Sequence, residues 1–357
     1  MAATDAHYSR HVRVDLFDYS LPAERIAQVP RPRGTSRLLL LDRRTGKTAH
    51  RSFADFPGLL RATDLLVRND VRVRHARLYG RDAEERLVEI FLLQPLAGDR
   101  RRWLALAKPG RRAKRGRTVR FREDLAARVE EVHDDGKREI RFEREIDEPL
   151  LARIGHVPLP PYIRRPPDAP DRPEDRAAYQ TVFAREPLAV AAPTAGLHFT
   201  EEILAHVERR GVTIADLTLS IGAGTFKPVT AEDTDDHFLE PEEVFLPAET
   251  ASSVARTKAA GGRVLASGTT VARSLEALAR LPPDAPGDLR FTTDLFITPG
   301  FEFKSVDALL TNFHLPRSTL LMLVCAFAGR EIVLAAYEEA IRDGYLFYSF
   351  GDAMFVS

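Results

Sequence analysis

Residues 293–329, TDLFITPGFEFKSVDALLTNFHLPRSTLLMLVCAFAG, decide how the chain is read. The apolar run Leu295, Phe296, Ile297 is stopped by Pro299 and Gly300 and reads as a buried strand ending in a turn. Residues 319–328 are almost wholly apolar and closed by Gly329, the pattern of a helix buried on all sides. Between the two lie residues 311–318, TNFHLPRS, dense in donors and acceptors. A polar loop held between core elements is where a rigid scaffold displays chemical groups. The same residues also suit an ordinary structural role, with Ser318 capping the helix, Asn312 closing a turn and His314 satisfied by backbone. This stretch alone leaves both readings open.

At 357 residues the chain exceeds what one hydrophobic core usually fills, so two domains are expected. An apolar content of 44% and a charged content of 29% are ordinary for a soluble globular protein. No apolar run reaches the ~18 residues that a membrane span needs. The N-terminal segment lacks the apolar core of a secretion signal. The single cysteine, Cys325, sits inside the apolar helix and reads as core filler rather than nucleophile. A cytoplasmic location is the expectation that follows.

The net charge of zero hides a local asymmetry. Residues 100–122 carry eleven Lys and Arg and no acid, and residues 123–148 then carry eleven acids. Such adjacent blocks are usually a solvated, self-neutralising surface, and a phosphate-binding face is the sharper alternative.

Along the chain, residues 16–19 read as a strand-like start and 22–28 as a short helix opened by Pro22. SRLLLLD, 36–42, is a compact strand. From Leu65 short runs alternate apolar and polar residues between Gly, Asp and Pro turns: LLVRN, RVRHARLYG, RLVEIFLLQ, RWLALAKPG, TVRFRE, ARVEEVHDD, REIRFERE. This is antiparallel β with enough strands to close a small barrel, Trp103 among them. Seven prolines in residues 157–173 make a stiff, extended strap. A short helix is expected over 176–183. Further helices follow over 200–211, 249–261, 270–281 and 330–343, with strands over 214–221 and 263–267. The expected architecture is an α/β main domain, residues 1–64 and 152–357, with an inserted β-barrel domain, residues 65–151.

Four polar loops fall at strand or helix ends of the α/β part, where such folds bind ligands. Thr194 and Gly196, with His198 and Phe199, lead into a helix N-terminus that favours an anion. Gly222, Gly224 and Thr225 end a strand; glycines there admit close approach, though a tight turn is their commoner meaning. Thr269 and Thr270 open another helix, with Arg273 one turn inside. Asn312, Phe313, His314 and Arg317 form the fourth, and Asp352 lies in an aromatic C-terminal segment. Each alone reads more readily as structure than as chemistry. His198, His237 and His314 lack the close spacing of zinc ligands, and no metal is expected. Glycine loops, histidines and aromatics together suit a flat, partly charged small molecule. The residues by themselves stop at an α/β enzyme with a β-rich appendage.

At these same loops the chain resembles the S-adenosylmethionine:tRNA ribosyltransferase-isomerases of queuosine synthesis. The resemblance rests on AAPTAGLHFT (191–200), LSIGAGTFKPV (219–229), GGRVLASGTT (261–270), residues 294–329 and YLFYSFGDAMF (345–355). FDYSLPAERIAQVP (17–30), SRLLLLDR (36–43), RNDVRVRHARLYG (68–80), WLALAKPGRRAKRG (103–116), LPPYIRR (159–165) and YQTVFA (179–184) extend it nearly end to end. It implies an α/β part plus a β-barrel. It also implies transfer of the ribosyl part of S-adenosylmethionine to 7-aminomethyl-7-deazaguanine at the tRNA wobble position. The ribosyl group isomerises to an epoxycyclopentanediol, and adenine and methionine leave. S-adenosylmethionine is then a consumed substrate, and no cofactor is expected.

The resemblance also implies roles. A histidine of near-neutral pKa, His198 or His314, with Asp352 as a third candidate, takes the proton beside the sulfonium. Phe199, Phe313 or Phe350 offers the sulfonium an aromatic face. The methionine carboxylate fits Thr194 and Gly196, or Thr269 and Thr270, supported by Arg273 or Arg317. Gly222, Gly224, Thr225 and Asn312 complete the substrate-binding set. A wobble base in the anticodon loop is read single-stranded. Arg101, Arg102, Lys108, Arg111, Arg112, Lys114 and Arg115 are the candidates for tRNA phosphates. A monomer is expected.

The chain departs from the family pattern at Ser220, where a histidine is usual, at Glu240 and Pro241 within a Met-His-Ser-Glu run, and at Val271 and Ala272. A divergent active member is the preferred explanation. A paralogue with another acceptor, a non-catalytic RNA-binding paralogue and a metal-dependent hydrolase are the alternatives.

Overall fold

The computed structural model of the chain describes residues 12–96, 98–222, 229–281 and 287–357. Strands β1 (Arg37–Leu41) and β2 (Thr48–Ser52) form a hairpin, followed by β3 (Leu65–Asn69) and β4 (Val71–Val73). Next come β5 (Arg77–Arg81), β6 (Leu87–Leu96), β7 (Asp99–Lys108), β8 (Thr118–Arg120), β9 (Ala126–Val132) and β10 (Arg138–Phe142). Helices α1 (Glu148–Ile154) and α2 (Pro173–Ala178) lead to β11 (Glu186–Ala189), α3 (Glu201–Arg209), β12 (Thr213–Leu219) and β13 (Glu242–Leu246). The chain continues through α4 (Ala248–Ala259), β14 (Val264–Ser267), α5 (Thr269–Leu278) and β15 (Leu289–Thr293). It closes with β16 (Ala308–Asn312), α6 (Thr319–Ala328), α7 (Arg330–Arg342) and β17 (Ala353–Val356).

Nine strands make one sheet in the order β15-β13-β12-β3-β14-β16-β17-β1-β2. Its middle, β12, β3, β14 and β16, is parallel, so these four strands end at one edge. Their sequences explain the placement: β3, β14 and β16 are buried along their whole length, as strands covered on both faces must be. One face packs Leu65, Val67, Leu217 and Leu309 against α5 and α6; the other packs Leu66, Leu265 and Leu310 against Phe53, Phe56 and Phe199. Helix α6 is buried from Leu321 to Cys325, and each fully buried leucine there contributes roughly 2 kcal/mol. Among the described residues no single helix is long and apolar enough to cross a membrane.

The second unit is a closed barrel, β10-β7-β6-β5-β8-β9, antiparallel throughout. Alternation sends Leu78, Val88, Ile90, Trp103, Ala105, Val129 and Ile140 inward. The expected α/β part with an inserted barrel is therefore present.

Several local expectations are corrected. LLVRN, counted with the barrel strands, is β3 at the centre of the large sheet; the barrel's own strands start at Arg77. Both faces of β3 are covered, which an alternation argument misses. Leu295 to Ile297 form no strand, because the Thr293 hydroxyl accepts the Leu295 N–H at 3.2 Å and turns the chain out of the β15 ladder. Thr311 and Asn312 belong to the end of β16 rather than to a loop. Residues 14–17 form a 3₁₀ turn, and the helix expected at 176–183 is α2, which starts at Pro173 and ends before Tyr179.

Candidate active site

The parallel edge of the sheet opens into a cleft enclosing about 620 Å³, part of it open solvent. Three strand ends supply its floor. Leu219 leads to Ile221, Ser267 leads to Gly268, Thr269 and Thr270, and Thr311 and Asn312 lead to Phe313, His314 and Leu315. Residues 192–195 form one wall, and Tyr162, Tyr348 and Ser349 another. Gly268 makes the β14–α5 turn possible: its φ is +105°, and its N–H donates to Leu310 O at 2.8 Å. It supplies no side-chain cap, so the first turn of α5 keeps free donors at the cleft.

His314 is 8% exposed and tightly placed. Its backbone N–H donates to the Tyr337 hydroxyl at 3.1 Å, and its carbonyl accepts the Tyr19 hydroxyl. Its Nε2 lies 2.7 Å from Thr311 Oγ1, which also lies 3.2 Å from the Asn312 carbonyl. A carbonyl only accepts and the threonine has one proton. Both contacts are satisfied together when Thr311 donates to that carbonyl and accepts from Nε2–H. The ring then carries its proton on Nε2 and its lone pair on Nδ1. Burial pushes the His314 pKa down to about 3.

His198 lies behind the wall rather than on it. Its Nδ1 shares a 2.7 Å hydrogen bond with Ser36 Oγ, and its ring packs 5.1 Å from that of Phe53. Burial lowers its pKa to about 4, against a smaller upward effect of the nearby Asn312 amide. The expectation of near-neutral histidines is therefore corrected, because both are buried without an acid to stabilise the cation. Asn312 donates from Nδ2 to Tyr348 O at 3.0 Å, while its Oδ1 and His198 Nε2 are buried without completing a hydrogen bond. Ser267 Oγ, Thr181 Oγ1 and Tyr179 OH share that condition.

Of the expected substrate-binding residues, Thr194, Thr269, Thr270, Asn312, Phe313 and His314 line the cleft together. Others do not. Gly196 is a packing glycine, since a Cβ there would meet Phe183 and Thr181 at 2.9 Å. Phe199 is fully buried among Phe53, Phe56 and Phe183. Phe350 packs its edge on Tyr179. Arg273 is buried in an ion pair with Glu242, and burial lowers its pKa to about 10. Arg317 turns outward, at φ +54°, to Asp18. Asp352 is fully buried and fully used, accepting from Arg31 at 2.9 Å, Arg37 N at 2.9 Å and Leu346 N at 2.8 Å. It shapes the loop that carries Tyr348 and Ser349. Gly222 has open space around its Cα, and Gly224 and Thr225 lie outside the described residues.

Among the described residues, the cleft lining contains no Lys, Arg, Asp or Glu. Tyr162, Tyr348 and Ser349 are lining residues that sequence reasoning did not single out. An aromatic set among the prolines of the strap was the available signal for Tyr162. His198, His237 and His314 do not converge. Among the described residues the group that does converge, His50, Glu339 and Asp343, is already paired, Nε2 of His50 standing 3.1 and 3.2 Å from the two carboxylates.

On the barrel, the basic block is partly spent. Arg101 pairs with Asp99, Arg102 with Glu130 and Glu139, and Arg115 with Glu131. Arg112 donates to Leu87 O at 2.8 Å. Lys108, Arg111 and Lys114 are exposed, with no carboxylate within ion-pair distance among the described residues.

A cleft at the carboxyl edge of a parallel sheet, floored by neutral polar groups and joined to a charged barrel, defines an α/β enzyme with an appended surface. A family model described as "Queuosine biosynthesis protein" matches residues 14–356. A relative from Anaeromyxobacter dehalogenans (strain 2CP-C), named S-adenosylmethionine:tRNA ribosyltransferase-isomerase, is 48% identical over 347 residues, covering 96% of this chain and 99% of its own. A relative of the same name from Heliobacterium modesticaldum is 48% identical over 349 residues, covering 97% and 100%. The crystal structure of S-adenosylmethionine tRNA ribosyltransferase from Thermotoga maritima is similar at 38% identity and a TM-score of 0.54, covering 96% of this chain and 100% of that one. The chain belongs to the S-adenosylmethionine:tRNA ribosyltransferase-isomerase family of queuosine biosynthesis, transferases that act in tRNA modification.

Proposed function

We propose that the chain transfers and isomerises the ribosyl moiety of S-adenosylmethionine onto 7-aminomethyl-7-deazaguanine at the wobble position of tRNA. The products are epoxyqueuosine-tRNA, adenine and methionine. The observation that carries this reading is the gathering of Thr194, Thr269, Thr270, Asn312 and His314, from separate loops that bear the family's motifs, around one cleft.

In this reading the free N–H groups of Thr269 and Thr270 receive the methionine carboxylate at the N-terminus of α5, with no arginine in support. The sulfonium, without an acid in the lining, rests against the ring of Tyr348, since the Phe313 ring is fully buried against Tyr337, Tyr345 and Phe347. His314 Nδ1 takes the proton from the carbon beside sulfur. At a pKa near 3 its lone pair is free at every physiological pH but weakly basic, so the acidity of that carbon must come from the adjacent positive charge. His198 supports the wall from behind. Lys108, Arg111 and Lys114 hold anticodon-loop phosphates. S-adenosylmethionine is spent as a substrate, the protein acts as a monomer, and its place is the cytoplasm with its tRNA.

The test is incubation with S-adenosylmethionine and tRNA carrying 7-aminomethyl-7-deazaguanine, following adenine release and nucleoside mass. Adenine together with an epoxide-bearing nucleoside is the expected result. Adenine without a change in that nucleoside would sink the proposed acceptor, and neither product would sink the proposed reaction.

A further inference from the structure

One wall of the cleft is built from groups that carry no charge at neutral pH. Tyr162 comes from the proline strap, and Tyr348 and Ser349 from the loop after α7. The two tyrosine rings meet with centroids 4.6 Å apart at 49°. Tyr162 OH and Ser349 Oγ share a 2.7 Å hydrogen bond. Burial raises the pKa of both tyrosines, so both hydroxyls stay protonated.

The backbone beneath this wall is held in place at a cost. Tyr348 adopts φ +70°, a left-handed conformation that favours glycine. It is locked there on three sides: its N–H donates to Phe313 O at 3.2 Å, and its carbonyl accepts from Asn312 Nδ2 at 3.0 Å and Gly351 N at 2.9 Å. A strained residue over-determined by its neighbours belongs at a ligand site more often than elsewhere. Behind it, Tyr179 is fully buried, and its hydroxyl reaches toward Ser349 and Ala192 without completing a hydrogen bond. Two aromatic faces and a shared hydroxyl pair make a surface for a flat, neutral ring with polar edges. They make a poor one for a carboxylate.

We infer that Tyr162, Tyr348 and Ser349 form a nucleobase-binding wall, with Tyr162 stacking the base and Ser349 reading its edge. The inference rests on the proposed reaction, which brings two such rings to the cleft: the adenine of S-adenosylmethionine and the 7-deazaguanine of the acceptor. Both are planar, neutral heterocycles bearing donors and acceptors, and the wall's chemistry suits either.

The experiment is calorimetric titration of the full chain with adenine and, separately, with free 7-aminomethyl-7-deazaguanine. It compares the unmodified protein with Tyr162→Leu, Tyr162→Phe and Ser349→Ala, with circular dichroism checking each fold. Loss of base–aromatic stacking predicts roughly tenfold weaker binding of one base in Tyr162→Leu. Tyr162→Phe, which keeps the ring, should stay within about threefold. Weakening for adenine assigns the wall to S-adenosylmethionine, and weakening for the deazaguanine assigns it to the acceptor. Unchanged affinity for both bases in a folded Tyr162→Leu protein overturns the inference, as does failure of the unmodified protein to bind either base. Adenine release from S-adenosylmethionine, measured alongside, separates the two claims. Turnover with unchanged base affinity sinks the wall alone. Base affinity lost in Tyr162→Leu without turnover by the unmodified protein leaves the wall standing and sinks the reaction.

Discussion

The cleft and the outer face of the barrel spend polar atoms in opposite ways. The barrel has many charges, and part of its basic block, Arg101, Arg102, Arg112, Arg115 and Arg120, is answered within the barrel itself. The cleft has no charged lining residue among those described, yet buried polar atoms at or beside it, Asn312 Oδ1 and Ser267 Oγ among them, lack hydrogen-bond partners. A buried polar atom left unpaired costs on the order of 1–3 kcal/mol, so several near one cavity mark where a ligand completes the fold's bonding. Surface charge is cheap and abundant. Unused bonding capacity is the rarer signal, and it separates the two regions more clearly than charge does.

The strongest attempt to break this contrast is made in the cleft. His314→Gln keeps a polar side chain but removes the imidazole lone pair. It should lower kcat by about 100-fold or more with little change in S-adenosylmethionine affinity. Near-normal turnover would return the base to His198 or to a group outside the cleft. On the barrel, the triple change Lys108→Gln, Arg111→Gln, Lys114→Gln should weaken tRNA binding by roughly tenfold. It should also reduce the dependence of log Kd on log salt by about 2. The companion triple Arg101→Gln, Arg102→Gln, Arg115→Gln, whose members are already paired, should cost much less. Equal losses from the two triples would erase the distinction between spent and unspent cations.

Acid should expose the cleft before the barrel. His198 and His314 are held neutral, with folded pKa values of about 4 and about 3 against an unfolded value near 6.5. Between these values the unfolded chain binds more protons. The stability tied to the neutral histidines is therefore complete above about pH 6.5 and is lost as pH falls toward the folded values. The expected loss is roughly 1 kcal/mol per histidine between about pH 6.5 and about pH 5.5. Denaturant melts across that range should show it, and His198→Gln should flatten the slope. The smallest expected effect is at Ser318, whose hydroxyl accepts Leu321 N–H at 3.2 Å as the cap of α6. Ser318→Ala should cost about 1 kcal/mol in a thermal melt, with turnover largely kept.

How far the sequence carries depends on the distance over which each feature is decided. Helices α3 to α7 were legible because caps, glycines and 3.6-residue periodicity are local. The barrel was legible because its strands alternate. Strand β3 was not assigned to its sheet, because LLVRN looks the same beside a barrel or between β12 and β14, and only pairing partners about 150 and about 200 residues away decide. In the cleft, Thr194, Thr269, Thr270, Asn312 and His314 stood at strand or helix ends, where position suggests function. Arg273, Arg317 and Asp352 stood equally well, but each is consumed by a partner that spacing does not reveal: Glu242, Asp18 and Arg31. Burial, not residue type, moved the histidine pKa values away from neutrality.

The barrel's two junctions with the main domain touch one another. Arg77 and His156 exchange backbone hydrogen bonds, His156 N to Arg77 O at 2.8 Å and Arg77 N to His156 O at 3.4 Å. This has a consequence for the order of assembly. The antiparallel barrel joins strands near in sequence and closes early, whereas β3 must wait to meet β12 across the whole insertion. Once the barrel has closed, that long excursion is pinched to a short one. The entropy of closing the remaining loop falls, though by less than about 1 kcal/mol, since the dependence on length is logarithmic. The insertion thus acts on the folding chain as a clasp that shortens the search for the sheet's central pairing.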